Sequence, residues 1–246
     1  MRDAFEPYSP LNVLKPFADG VWIVDGPEIA MGYLGLKLPF PTRMTVVRLP
    51  DGGLWLHSPI ALDHALAEAI AALGPVRHLI APNSLHYWWI PDWAARFPGA
   101  QVHAVPGLDR AAKRPLPLHR VLGDTSDPAW ADAIDQVLVP GGLLTEADFF
   151  HRSSRTLILT DLIENFEPRR IRSRLLRTII RWSGAADPDG KAPIDMRLSF
   201  WRHRRTLRTA VRRMIGWAPE RIILAHGRCY DRDGIAELKR AFRWAV

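Results

Sequence analysis

The sequence predicts an α/β fold, one domain over residues 1–246 with an arginine-rich helical insertion at 168–216. Two observations carry that expectation. Short apolar runs alternate with helix-period segments through the middle of the chain, which favours strand–helix layering over a bundle or an all-β sandwich. The composition, 48% hydrophobic and 24% charged over 246 residues, is that of a globular chain long enough for one large domain or two small ones. Several classes drop out at once. No apolar run approaches the ~18–20 residues of a membrane span. The opening Met1-Arg2-Asp3-Ala4-Phe5-Glu6 is charged and has no apolar signal region. Cys229 is the single cysteine, so no internal disulfide framework exists, and a reducing, cytoplasmic compartment is expected.

The elements follow in order. Gly20–Gly26 is an apolar run bounded by glycines, as strands often are. A loop rich in Gly and Pro comes next, with Pro39-Phe40-Pro41 discouraging helix. Thr42–Leu49 is rich in β-branched residues and predicts a strand. Asp51-Gly52 supplies the positive φ of a tight hairpin, with Leu54–His57 as the return strand. Leu62, Leu66, Ile70 and Leu73 fall at helical spacing over 61–73, ending at Gly74-Pro75. Strands at 76–81 and 101–105 alternate with short helices at 91–97 and 107–113. Further strands are expected at 134–139, 149–151 and 156–160, then arginine-rich helices at about 168–182 and 199–216. A strand at 221–225 and a helix from about Asp233 close the chain.

Four apolar strands stop at a polar or ligand-type residue. They lead into His57, into Asn83-Ser84-Leu85-His86, into Thr160-Asp161 and into His226-Gly227. Layered α/β folds gather sites at strand ends, where rigid backbone places side chains outside the sheet. Two or three His with one Asp suit Zn, Fe or Mn. A single His at a strand end is more often structural, but four such ends shift the balance toward a site.

With these residues in place, the chain resembles the metallo-β-lactamase superfamily over nearly its whole length. Leu157–Asp161 is similar to the strand ending in that superfamily's metal-bridging Asp, and Ile223–Gly227 to the late strand ending in its last His ligand. The resemblance implies an αββα sandwich. It departs from the family pattern where the signature His-x-His-x-Asp-His should stand. In Asn83–Trp89, His86 takes the second His position, while Ser84, Trp88 and Trp89 replace the other ligands. Gly142 stands where the family has the His of Pro-Gly-His, and His57-Ser58-Pro59 occupies the Asp-Thr-Gly turn. The pattern is similar to a degenerate bacterial branch of the superfamily labelled as a domain of unknown function.

The resemblance therefore implies a reduced ligand set for one divalent metal (Zn, Fe or Mn): His86, Asp161 and His226, with His57 auxiliary. His86 and Asp161 would be catalytic, and Asn83 and Tyr87 would face substrate. Two outcomes follow. In one, a single metal supports hydrolysis of a small-molecule ester, amide or phosphodiester. In the other, the fold persists as a non-catalytic binding protein and the same residues form a polar cluster. Tyr87, Trp88 and Trp89 read as pocket wall or core. Glu146 reads as an alternative carboxylate ligand or a solvated loop residue.

The net charge of +7 is concentrated. Segment 169–213 holds 14 Lys+Arg against Asp187, Asp189 and Asp195, so the remainder of the chain is net acidic. Ile171, Leu175, Ile179 and Trp182 fall on one face of its first helix, with arginines largely elsewhere. Such a helix binds an anionic membrane surface, or packs on the domain or a second copy. A peripheral membrane location follows from the first of these. Nucleic acid is the weaker alternative, since no reading motif is present.

Overall fold

A computed structural model describes residues 4–33 and 36–245, so the first three residues of the charged opening lie outside it. Seven strands form one sheet in chain order: β1 (Lys15–Ala18), β2 (Val21–Tyr33), β3 (Leu36–Arg48), β4 (Leu54–His57), β5 (Val76–Ala81), β6 (Gln101–Ala104) and β7 (Arg120–Val121). Pairing is antiparallel from β1 to β4 and parallel from β4 to β7. The second sheet holds β8 (Ile134–Pro140), β9 (Thr145–His151), β10 (Thr156–Ile158) and β11 (Arg221–Ile223) in the order β11-β10-β9-β8, with β10 and β11 parallel. Helices α1 (His64–Leu73), α2 (Ile90–Arg96) and α3 (Leu108–Ala111) serve the first sheet. Helices α5 (Ile194–Ser199), α6 (Arg204–Gly216) and α7 (Gly234–Phe242) pack on the second, while α4 (Arg174–Ser183) packs on Phe5, Phe40 and Phe166. The result is an αββα sandwich.

Strand alternation decides which core each residue joins, because successive side chains leave a strand on opposite faces. Phe149, Ile158 and Ile223 enter the core between the sheets, with Val46 and Trp55. Their neighbours Phe150, Leu157 and Ile222 point the other way, into a second core closed by Leu207, Met214 and Phe242 of α6 and α7. Both faces of the small sheet are buried, which explains why its strands read as near-continuous apolar runs.

Several expected boundaries move for identifiable reasons. Pro39-Phe40-Pro41 lies inside β3 rather than in a loop, with Pro39 opposite Ala30 and Phe40 opposite Ile29. The pairing of β3 with β4 begins only at Thr45, so the proline stretch has a free edge on that side and its missing N–H groups break no ladder. The helix expected from residue 61 starts at His64, because Asp63 accepts a hydrogen bond from the Leu66 N–H at 2.9 Å and caps it. The short strands β1 and β7 carry no signal that stands out in the sequence.

The arginine-rich stretch changes most. Its first expected helix is a 3₁₀ turn at Pro168–Arg170 followed by α4, with Ser173 capping the Leu176 N–H. Ile171 lies before that cap, bridged to Phe5 and buried. It therefore cannot share the helical spacing assigned to it. Leu176 and Ile180 turn inward instead, leaving Leu175, Ile179 and Trp182 exposed. The second expected helix, 199–216, is a 3₁₀ turn at Phe200–Arg202 followed by α6, and α5 precedes it outside the expected bounds. Leu207, Val211 and Met214 bury α6 in the second core, so that helix is part of the sandwich rather than an appendage to it.

Candidate metal centre

Parallel strands bring the chemistry to one place. His86 follows β5, Asp161 follows β10 and His226 follows β11, all at carboxyl ends. His86 Nε2 lies 3.2 Å from His226 Nε2, and each lies 3.4 Å from Asp161 Oδ1. Among the described residues this is the one group of three or more His, Cys, Asp or Glu side chains whose ligand atoms converge closely enough to hold a metal ion. The spacing fits such an ion. Ligands at the corners of a tetrahedron with bonds of roughly 2.0–2.1 Å lie about 3.3–3.4 Å apart.

The surrounding hydrogen bonds orient each donor. His226 Nδ1 lies 2.8 Å from the Pro41 carbonyl, which can only accept, so Nδ1 carries the proton and Nε2 presents a lone pair. The Ser58 hydroxyl donates to the Arg43 carbonyl at 3.3 Å and accepts from His86 Nδ1 at 2.6 Å, leaving His86 Nε2 free. Ser58 holds that position in the left-handed region, at φ 52°. Asp161 Oδ2 accepts from Asn83 Nδ2 at 2.6 Å, which turns Oδ1 toward the histidines. Asn83 Oδ1 in turn accepts from the Leu85 and His86 N–H groups and shapes the loop that delivers His86.

Charge follows the same arrangement. Burial opposes ionisation of Asp161, but His86 and His226 outweigh it and hold the carboxyl well below the usual carboxylate range. Burial disfavours a charged His86, yet Asp161 and then Glu146 raise it above the ordinary histidine value. The cluster thus favours a positive charge at its centre, whether a proton or a cation.

Glu146 is neither a ligand nor solvated. It is fully buried on β9 and accepts from the Thr160 N–H at 2.8 Å and the Asp161 N–H at 2.9 Å, clamping the turn that carries Asp161. Two residues on, Asp148 is fully buried beside the Glu146 carboxyl. Burial, then that neighbouring carboxyl, pushes its pKa far up.

The other expected site residues lie outside the cluster. His57 stacks on Trp55 at 5.5 Å and meets the edge of Phe149, its Nε2 unpartnered. Burial, then the nearby His86, takes its pKa down to about 3, and the three-residue group does not include it. Tyr87 is buried in the first core and its hydroxyl accepts from the Lys113 N–H at 2.6 Å. At Gly142, a Cβ would meet the Ser199 carbonyl oxygen at 2.6 Å, so α5 occupies the space a side chain would need. Sequence reading passed over Ser58 as a partner of His86. Its one signal was adjacency to His57 in the turn the resemblance marked.

Residues 19–172 match the family described as Domain of unknown function (DUF4336). The chain belongs to that family. The match holds Asn83, His86, Glu146 and Asp161 and ends before α4. No curated protein sequence matches. Among solved structures, the chain is similar to a metallo-β-lactamase from Hirschia baltica, with a TM-score of 0.61 at 15% identity over 92% of this chain and 95% of that one. It is similar to the metallo-β-lactamase FIM-1 from Pseudomonas aeruginosa in the mono-zinc form, with a TM-score of 0.60 at 15% identity, covering 95% and 96%. It also resembles the metal-soaked Flv1 flavodiiron core from Synechocystis sp. PCC6803, with a TM-score of 0.59 at 10% identity, covering 94% of this chain and 60% of that one. At such identities the likeness establishes the fold alone, a metallo-β-lactamase-like αββα sandwich.

Proposed function

We propose that His86, Asp161 and His226 hold one divalent metal ion and that the protein is a metal-dependent hydrolase with this reduced ligand set. The observation that supports it best is the convergence of two imidazole lone pairs and one carboxylate oxygen at 3.2–3.4 Å, each fixed from behind by a hydrogen bond. Zn, Fe and Mn all suit two imidazoles and a carboxylate. A bound ion would supply Lewis acidity and lower the pKa of a water.

The chain's own residues do the rest. Ser58 and the Pro41 carbonyl keep both imidazoles in the tautomer that faces the centre. Asn83 holds Asp161 in place, and Glu146 fixes the turn beneath it. Above the histidines a cavity of about 40 Å³ is bounded by Phe40, Ile60, Leu85 and Trp89. That is room for water beside the histidines, and Thr42, Arg43 and Ser58 add polar groups to the lining.

The small cavity also favours a second reading, a metal-holding protein without turnover. One experiment serves both. Protein incubated with Zn, Mn or Fe(II) and then desalted should carry one metal per chain by elemental analysis, and Asp161→Ala should lose it at least tenfold. Wild-type protein that stays substoichiometric after all three incubations removes the hydrolase reading. Full occupancy with no hydrolysis of nitrophenyl ester or phosphodiester probes leaves the second.

A further inference from the structure

We propose that α4, α5 and the turn after α5 form a docking face for an anionic phospholipid surface, independent of the metal centre. The face is two matching stripes. On α4, Leu175, Ile179 and Trp182 stand at i, i+4 and i+7; over α5 and the turn after it, Ile194, Leu198 and Trp201 repeat the spacing. All six point to solvent, with Leu175 72%, Trp182 84%, Leu198 68% and Trp201 69% exposed. The inward positions are already filled by Leu176 and Ile180 on α4, by Met196 on α5 and by Phe200 in the turn after it. Each helix therefore has a buried apolar face and a second, outward one, which burial in this chain does not explain. The stripes are neighbours, since Arg197 reaches from α5 to donate to the Ser183 carbonyl at the end of α4 at 3.2 Å.

The charge around the stripes chooses the occupant. Arg174, Arg177 and Arg181 run along one flank of the α4 stripe, and Arg202 and Arg205 follow Trp201. Among the described residues none of these five joins an ion pair. Arg177 and Arg181 also line an open recess of about 520 Å³ with Arg169 and Arg228. Its acids are already engaged, Glu167 by Arg169 and Arg170, Asp187 by Arg228, so the two α4 arginines are the surplus. Exposed aliphatic and Trp side chains, rimmed by uncompensated guanidinium groups, match the acyl boundary and the phosphate layer of an anionic leaflet. Trp prefers that interface, and long arginine side chains reach up to the headgroups. A second copy of this chain would bring the same positive rim against itself and is disfavoured by repulsion.

The test uses the full chain with phosphatidylcholine vesicles, with and without phosphatidylglycerol. Co-sedimentation should require phosphatidylglycerol and fall steeply with salt, with a blue shift in Trp emission on binding. Trp182→Ser with Trp201→Ser, and separately Arg174→Ser with Arg181→Ser, should each weaken binding roughly tenfold. Both pairs are exposed, so unfolding midpoints should match wild type. Three results overturn the proposal: no binding, binding indifferent to lipid charge, or a salt-stable dimer that the tryptophan variants abolish.

Discussion

Two groups of histidines lie on strands or just after them, and they are built oppositely. His78 Nδ1 lies 3.1 Å from His103 Nε2, both rings are edge-on to Trp130, and His57 lies flat on Trp55 nearby in the same core. Burial takes His57 and His103 down to a pKa of about 3, so they act as neutral aromatic packing. His86 and His226 face a carboxylate, and each is held on its far nitrogen by an oxygen. The comparison teaches that a histidine at a strand end says little by itself. What separates the groups is the closeness of the anion: Asp161 lies 3.4 Å from both His86 and His226, whereas Asp127 stays 4.0 Å from His103 Nδ1.

The largest expected consequence belongs to the packed group. A histidine whose pKa is depressed by folding takes up its proton only on unfolding, so stability falls as pH drops below the unfolded value of about 6.5 and continues to fall toward 3. Two such groups remove on the order of 4 kcal/mol between pH 7 and pH 5. Asp148 and Glu164, whose pKa values burial raises, work the other way and recover stability as pH falls toward the ordinary carboxylate range. His57→Phe isolates one contribution: the loss per pH unit in urea unfolding should shrink by about 1.4 kcal/mol below pH 6. Metal content should not change. If His57→Phe lowered metal occupancy, the boundary between the two groups would be wrong.

How far each group was legible in the sequence follows from the range of its contacts. Asp161 and His226 stood out because each ends a buried apolar strand, a local pattern. Ser58 and Glu146 could not stand out in the same way. Ser58 matters only because β4 and the loop after β5 lie side by side, and Glu146 because β9 lies against the turn after β10. The α4 stripe was misassigned since Ile171 completes a helical spacing on paper, while Ser173 starts the helix two residues later. Periodicity identified an apolar face but not which of two faces the core would take.

A second test asks whether the missing family ligand can be put back. Gly142→His restores a histidine to the sequence position the resemblance marks, but its Cβ would fall 2.6 Å from the Ser199 carbonyl oxygen. Backbone cannot yield as a side chain does, so the variant should lose about 3 kcal/mol in urea unfolding. Metal stoichiometry should stay at one. Stoichiometry rising to two would mean that α5 moves aside and that the reduced ligand set reflects only the residue lost.

The finest test asks whether the hydrogen bond behind a ligand, rather than the ligand itself, makes the centre. Asn83 touches no position that a metal would occupy. Its amide nitrogen holds Asp161 at 2.6 Å and its oxygen accepts from two N–H groups of the loop carrying His86. Asn83→Ala therefore removes orientation from two ligands at once while leaving all three in the chain, and metal affinity should fall 10–100-fold, roughly 1.4–2.7 kcal/mol. Asn83→Asp separates orientation from bulk: it retains the acceptor toward the loop but sets a third carboxylate beside Asp161 and Glu146. By titration calorimetry it should bind no better than Asn83→Ala. Affinity equal to wild type in both variants would show that the fold alone positions the ligands, and would erase the distinction between the two histidine groups.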